Sequence, residues 1–453
     1  MTVQKTTTRD MTEGSIVRQI LLFSLPLMLG NIFQMLYNTV DTLVVGNYVG
    51  TEALAAVGSK APIVNMAVFF FNGFSVGAGV VISHAFGERN MKSLHAAIET
   101  TMTATFILCA VFSVAGMLAV GPMLRFMSTP EDVFQDAERY LTLYFAGISG
   151  LLIYNMGSGI LRAVGDSTRP LIFLIITSVL NIALDLLFVI RFRMGIAGVA
   201  VATIIAQLVS AGMVLTLLTK TRDIYRLTWS DLRIDGTILK RTVSVGLPAG
   251  IQSVITAFSN VFVQSYVNFF GSACMAGWSC YNKLDTFIML PMQSMAMAAT
   301  TFVSQNLGAG KEKRAFRGAW VTITMSVSVT AVIAAGLYLF AEPSVGLFTS
   351  DQNVIEFGAL FLRTNVFFLL FNCVNHVMAS ALRGEGDSKG PMIIMLTAFV
   401  GIRQIYLYVL TRFIVRVPRW VGFGYPVGWF CCFLLISGYW VKRHGLPWKQ
   451  RGA

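Results

Sequence analysis

The sequence predicts an all-α polytopic membrane protein, with twelve transmembrane helices in two pseudo-symmetric six-helix lobes around a central cavity. Three observations carry that prediction. The chain is apolar throughout, its apolar runs are long enough to cross a bilayer, and its second half repeats motifs of its first at a near-constant shift.

Composition sets the class. Hydrophobic residues make up 55% of the 453 and charged residues only 12%, against about 25% charged in a soluble domain. Mean hydropathy is +0.68. No polar stretch is long enough to form a soluble domain, so a single anchor helix does not account for the shortfall. The net charge of +12 does not point to nucleic acid, because the basic residues sit in short loops between apolar runs. That is the positive-inside pattern of a protein facing an anionic leaflet. Six cysteines lie within or beside apolar runs with no metal-binding spacing, and read as small packing residues. No cofactor is expected, and no constellation of nucleophile or metal ligands suggests an enzyme.

The elements follow from a ruler of about 20 apolar residues per span. The first six runs are Ile16–Val45, Ala53–Ser83, Leu94–Val120, Val133–Ile160, Leu171–Ile190 and Ile196–Leu218. The second six are Thr242–Phe270, Cys274–Val303, Gly318–Phe340, Val354–Ala381, Met392–Phe413 and Trp420–Val441. The first run is too long for a signal h-region and is expected to remain as a helix. The chain then divides into a tail at 1–15, an N-lobe at 16–218, a linker at 219–241, a C-lobe at 242–441 and a tail at 442–453. Twelve spans put both termini on one side. Placing that side in the cytoplasm of a cell membrane assigns roughly 23 of the 34 Lys and Arg to inner segments. One outer loop departs from this, with Arg412, Arg416 and Arg419 together.

The halves repeat. Arg162-Ala-Val-Gly165-Asp166-Ser167-Thr-Arg-Pro170 recurs as Arg383-Gly-Glu-Gly386-Asp387-Ser388-Lys-Gly-Pro391, a shift of 221 (383 − 162). Phe86-Gly87 matches Leu307-Gly308 at the same shift, and Leu25-Pro26 matches Leu247-Pro248 at 222 (248 − 26). A shift this constant indicates duplication. An even number of spans per half inserts both halves in the same orientation, with the symmetry axis along the membrane normal. The repeated Arg-x-x-Gly-Asp-Ser segments lack the Walker pattern of a phosphate loop. They read as tight turns with Asp and Arg tied together.

Ionisable groups in a bilayer are costly and point to function. Asp41 lies late in span 1 and Asp185 late in span 5. Asn181 precedes Asp185 by four residues and shares its helix face. Thr203, two turns into span 6, has a compatible depth, and Asn155 in span 4 is a further polar candidate. These oxygens suit Na⁺. Two carboxyl groups in low dielectric can equally share a proton, and the residues do not choose between the two ions. Pro26 inside span 1 removes a backbone hydrogen bond and marks a hinge candidate. The second half lacks matching acids, with Val263 opposite Asp41 and Tyr406 opposite Asp185. Its intramembrane charges are Lys283, Asp285, Arg363 and Arg403. Gln34, Tyr37, Met66, Phe70, Gln252, Asp285, Met292 and Asn372 are candidate cavity residues for an amphipathic, often cationic, substrate. The expected partners are such small molecules and membrane lipid, for a chain working as a monomer.

On Leu25-Pro26, Asn38-Thr39-Val40-Asp41-Thr42, Leu54-Ala55-Ala56-Val57-Gly58 and the two Gly-Asp-Ser motifs, the chain resembles the multidrug and toxic compound extrusion (MATE) transporters over nearly its full length, in particular the prokaryotic DinF-like branch. The resemblance implies twelve helices in two lobes and export of organic cations and drugs in exchange for H⁺ or Na⁺. It carries Asp41, Asn155, Asn181, Asp185 and Thr203 over as a coupling-ion cluster, and Pro26 as the point where the first helix bends. Some relatives carry acids in spans 7 and 10. Here those spans offer Gln264, Asn372 and Asn375, so a second-lobe coupling site is not expected. A lipid-linked oligosaccharide flippase of the same wider superfamily is the alternative, and it would require a larger, more cationic cavity.

Overall fold

The computed structural model describes residues 9–48, 51–126, 129, 131–414 and 417–445, without the side chains of 51–67 and a few others. Twelve helices are long and apolar enough to cross a membrane, and no strand occurs among the described residues. Spans 1 to 6 are the helices Ile16–Tyr48, Thr51–Gly87, Met91–Phe126, Glu131–Ala163, Thr168–Leu186 (prolonged by a π turn at Leu187–Arg191) and Gly195–Lys220. Spans 7 to 12 are Gly236–Asn268, Ser272–Gly308, Glu312–Leu339, Gln352–Gly384, Lys389–Ile414 and Pro418–His444. Helices are the form these runs must take, because hydrocarbon offers no partner for an unpaired backbone N–H or C=O. Several run one to two turns beyond their apolar stretch. Span 7 starts at Gly236, where Asp235 Oδ1 accepts from the amides of Thr237 (2.8 Å) and Ile238 (3.1 Å). The last two spans form, with Arg412 and Arg419 inside the helices at their facing ends rather than in a loop, while Arg416 lies outside the described residues.

The chain forms two compact units. One comprises Met1–Thr12, Leu25–Leu247 and Gly308–Gly310, and the other Glu13–Ser24, Pro248–Leu307 and Lys311–Ala453. Three of the crossings fall inside helices; the one at Leu307–Gly308 is at the last residue of span 8, and the two in helix interiors fall at a proline, just before Pro26 in span 1 and at Pro248 in span 7. In the first unit, the pre-proline part of span 7 packs on span 2, with Gly77 against the Thr242 carbonyl and Gly246. In the second, the Glu13 carbonyl accepts from Arg314 at 3.0 Å.

Each unit has two apolar clusters. In the first, one gathers Phe71, Leu124, Leu141, Ile148 and Val199, and the other Ile82, Leu94, Met102, Ile160 and Val214. Spans 4 and 6 meet through glycine. A Cβ added at Gly150 would lie 2.7 Å from the Gln207 carbonyl carbon, and one at Gly157 would lie 2.7 Å from Val214. Both pairs are 57 residues apart (207 − 150 and 214 − 157), so the two helices run parallel and in register. Small residues permit that approach where apolar lipid supplies little drive for helices to associate.

The two Gly-Asp-Ser turns have the same backbone. Gly165 N donates to Arg162 O (3.0 Å) and Asp166 N to Leu161 O (2.8 Å); Gly386 N donates to Arg383 O (2.8 Å) and Asp387 N to Leu382 O (3.0 Å). Gly165 (φ +86) and Gly386 (φ +92) take the left-handed conformation that this helix C-cap needs. The aspartates then cap the following helix. Asp166 Oδ1 accepts from Thr168 N and Arg169 N, both at 3.1 Å, and Asp387 Oδ1 from Gly390 N at 3.0 Å. The expected Asp–Arg tie is present with a different arginine. Asp166 pairs with Arg169 at 3.4 Å and Asp387 with Arg443 at 2.8 Å. Arg162 instead lies beside Tyr154, and Arg383 donates to Gln252 Oε1 at 2.8 Å. The cap geometry explains the difference, since the aspartate follows the turn and faces the next helix rather than the last.

Candidate coupling-ion site and family

Asp41, Asn181, Asp185 and Thr203 are all buried in the first unit, at 5%, 1%, 0% and 3% exposure. Span 5 sets the central pair. Asn181 and Asp185 stand one turn apart; with the Asn181 amide assigned so that its nitrogen faces the carboxylate, the orientation that satisfies both of its ends, it donates to Asp185 Oδ2 at 3.0 Å while its oxygen accepts from Thr203 N at 3.3 Å. One side chain thus joins span 5 to span 6. Thr203 lies eight residues into span 6 (203 − 195), about 12 Å at 1.5 Å per residue, a depth that brings it level with Asp185. A π turn follows Asp185 directly, at Leu187–Arg191. Span 11 carries another at Leu410–Ile414, the corresponding place in the second half, so this turn belongs to the repeat rather than to the acids.

Three tyrosines complete the surroundings. Tyr37, one turn before Asp41, faces Asp41 and Thr203. Tyr140 of span 4 lies within electrostatic reach of both Asp41 and Asp185, and Tyr144 lies beside it with ring centroids 6.4 Å apart. Sequence reasoning missed Tyr140 and Tyr144, because a tyrosine near the start of a span reads as an interface aromatic. Their spacing of four residues, which puts both on one helix face, was the available signal. Apolar walls from Val44, Val45, Val189 and Val199 surround the group. Asp41, Asp185, Thr203 and the tyrosines thus offer oxygen atoms within apolar walls, with the Asn181 amide nitrogen turned toward Asp185. Carboxylates held this way strengthen the electrostatic hold on a small cation, and they resist ionising together when none is bound.

Asn155 stands apart from this group. It is half-buried; its backbone carbonyl accepts from Ser75 at 3.4 Å, and its side chain shares no hydrogen bond with the acids. Of the other candidates in the first unit, Gln34 is exposed. Phe70 stacks on Phe112 with centroids 5.6 Å apart. The Met66 side chain falls outside the described residues.

The second unit places no carboxylate at the corresponding positions. Val263 packs in an apolar cluster, and the Tyr406 hydroxyl donates to Trp420 O at 3.0 Å. Its polar groups make another network. Arg403, 3% exposed, donates to Ser259 Oγ (2.8 Å) and Asn260 Oδ1 (2.9 Å) and lies over the Tyr425 ring at 4.8 Å. Asp285 faces Tyr281, and Tyr425 lies within reach of both Asp285 and Arg403. Gln252 accepts from Arg383 and has Met395 sulfur at 3.1 Å. Met292 is 2% exposed, and Asn372 is 1% exposed with neither amide atom hydrogen-bonded among the described residues. No cluster of metal-ligating side chains occurs among the described residues.

Comparison with known proteins adds four findings. The chain is 31% identical over 445 residues to the probable multidrug resistance protein YpnP of Bacillus subtilis, covering 97% of each. It is 28% identical to that organism's probable multidrug resistance protein YoeA, covering 98% of this chain and 96% of the other. A solved structure described as the outward-facing conformation of a multidrug resistance MATE family transporter of the MOP superfamily superimposes with a TM-score of 0.91 at 23% identity, over 97% and 98% of the two chains. The MatE family matches residues 26–187 and again 248–409, two copies that begin 222 residues apart (248 − 26), so the chain belongs to the MatE family.

Proposed function

We propose that this protein is a multidrug efflux antiporter, exporting amphipathic, often cationic, organic compounds in exchange for H⁺ or Na⁺ by alternating access. The observation that carries the reading is the joining of Asp185 to span 6 through Asn181, with Asp41 buried nearby in the same lobe. A buried carboxylate is costly unless paired or neutralised, and a cation arriving from outside removes that cost. The names of the relatives from Bacillus subtilis support the substrate class.

A ligand shifts a two-state equilibrium only by its differential affinity for the two states. Exchange therefore needs ion and drug to favour different states or to compete. In this scheme ion uptake at Asp41 and Asp185 favours the state that releases drug, and ion loss inside resets it. Both termini are assigned to the cytoplasm on the charge of the loops. The deciding experiment is uptake of a fluorescent cation into everted vesicles, where export from the cell reads as accumulation in the lumen, under separate H⁺ and Na⁺ gradients. The parent is expected to respond to one gradient, and Asp41→Asn and Asp185→Asn to neither. Undiminished gradient-driven efflux in both variants removes the reading.

A further inference from the structure

Away from the carboxylates, the first unit carries an open groove of about 880 Å³ along spans 5 and 6. Its mouth is lined by Arg169, Lys220 and Arg222, with Asp223 as the single acid, and its floor by Phe173, Val209, Gly212 and Met213. Arg169 lies at the start of span 5 and Lys220 ends span 6, so the cations share one end of the bundle. Val209, Gly212, Met213, Thr216 and Lys220 follow steps of three and four along span 6 and form one face. From Lys220 to Val209 is 11 residues (220 − 209), about 16 Å at 1.5 Å per residue. That is about half of a hydrocarbon core of roughly 30 Å. The groove thus runs from headgroup level through one leaflet.

The cations are held ready. Arg169 is fixed by Asp166 at 3.4 Å and by donation to the Tyr225 hydroxyl at 2.6 Å. Among the described residues neither Lys220 nor Arg222 joins an ion pair. The floor is open at its centre, where a Cβ on Gly212 would meet nothing within 4 Å. The described residues of the second half differ at the matching position. Gly390 stands at the Arg169 position, and Tyr439 lies against it while donating to Asp387 at 2.5 Å.

We propose that this groove binds an anionic phospholipid, with its phosphate against Lys220, Arg222 and Arg169 and one acyl chain along Phe173, Val209, Gly212 and Met213. With Arg169 paired to Asp166, Lys220 and Arg222 against Asp223 still leave the rim net positive, which suits a headgroup with net negative charge over a zwitterionic one. The apolar floor, one leaflet deep, suits a chain that a soluble phosphate lacks. Basic pockets between spanning helices are a recurrent way of holding such headgroups.

The test is native mass spectrometry of the purified full-length protein in detergent, titrated with phosphatidylglycerol, phosphatidylcholine of the same chains, and glycerol phosphate as the soluble control. Phosphatidylglycerol is expected to bind in preference to the other two. The double variant Lys220→Ala with Arg222→Ala should weaken it about thirtyfold. Gly212→Trp leaves every cation in place and should weaken phosphatidylglycerol by blocking the floor, without changing glycerol phosphate binding. Equal binding of the two lipids, full affinity in the double variant, or complete displacement by glycerol phosphate would each overturn the proposal. If the double variant does not fold, Gly212→Trp decides alone. The readout is lipid binding, so it does not depend on the transport reading.

Discussion

Asn181 donates to Asp185 at 3.0 Å and accepts from the backbone of Thr203 at 3.3 Å, so one neutral amide couples a buried acid to the neighbouring helix. A hydrogen bond to a charged group contributes about 1.5–3 kcal/mol. Asn181→Leu should therefore weaken the coupling ion by about ten- to a hundredfold, read as a shift in the ion concentration for half-maximal efflux. An unchanged midpoint would mean that Asn181 does not support the ion-binding form of Asp185.

Neutralising the acids should separate activity from stability. Asp185→Asn keeps the shape and removes a buried charge, and replacing buried charges is often neutral or stabilising. The melting temperature in detergent is expected to hold or rise while gradient-driven efflux is lost. A marked fall in melting temperature would assign Asp185 a structural role instead.

The contact of spans 4 and 6 can be tested with a matched pair of glycines. Gly150→Ala places a methyl group 2.7 Å from the span 6 backbone and forces the helices apart, at a cost of about 1–3 kcal/mol. Gly212→Ala meets nothing within 4 Å and gains helix propensity of up to about 1 kcal/mol. Thermal melts should move in opposite directions, and a common direction would contradict the close approach.

Asp10 supplies a pH test outside the membrane. Burial alone would raise its carboxyl, but the hydroxyl and amide of Thr12 and the Arg89 guanidinium hold it below 3.8. A depressed carboxyl contributes stability that is present above its unfolded value and lost as pH falls through the folded one. The melting temperature of the parent should exceed that of Asp10→Asn at pH 6, and the gap should close below pH 3.8. A constant gap would show that the carboxylate charge is irrelevant.

Pro26 and Pro248 lie where spans 1 and 7 pass between the two compact units. Pro26→Ala restores a backbone donor inside span 1 and stiffens it. Efflux should slow with the melting temperature kept or raised, and transport at the parental rate would remove the hinge.

The sequence by itself determined the number of spans, the duplication and the identity of the buried acids. Each rests on a property that survives projection onto one dimension: apolar run length, a fixed shift, and the rarity of charge in hydrocarbon. Asp41, Asp185 and Asn181 were legible for that reason. Tyr140 was not, because a tyrosine is unremarkable until two acids from other helices are seen to face it. Asn155 was grouped with the acids by its polarity and by the family resemblance, and among the described residues its side chain joins none of their hydrogen bonds.

Only the tertiary structure decided partners. It gave Asp166 to Arg169 rather than Arg162, handed the pre-proline parts of spans 1 and 7 to the opposite units, and opened a groove beside Arg169 where Tyr439 lies against Gly390, the matching position of the second half. The physical reason is common to all three. Which side chains meet is fixed by rotation and register between helices that the chain connects only at their ends, and hydropathy along one helix carries no record of its neighbour's face.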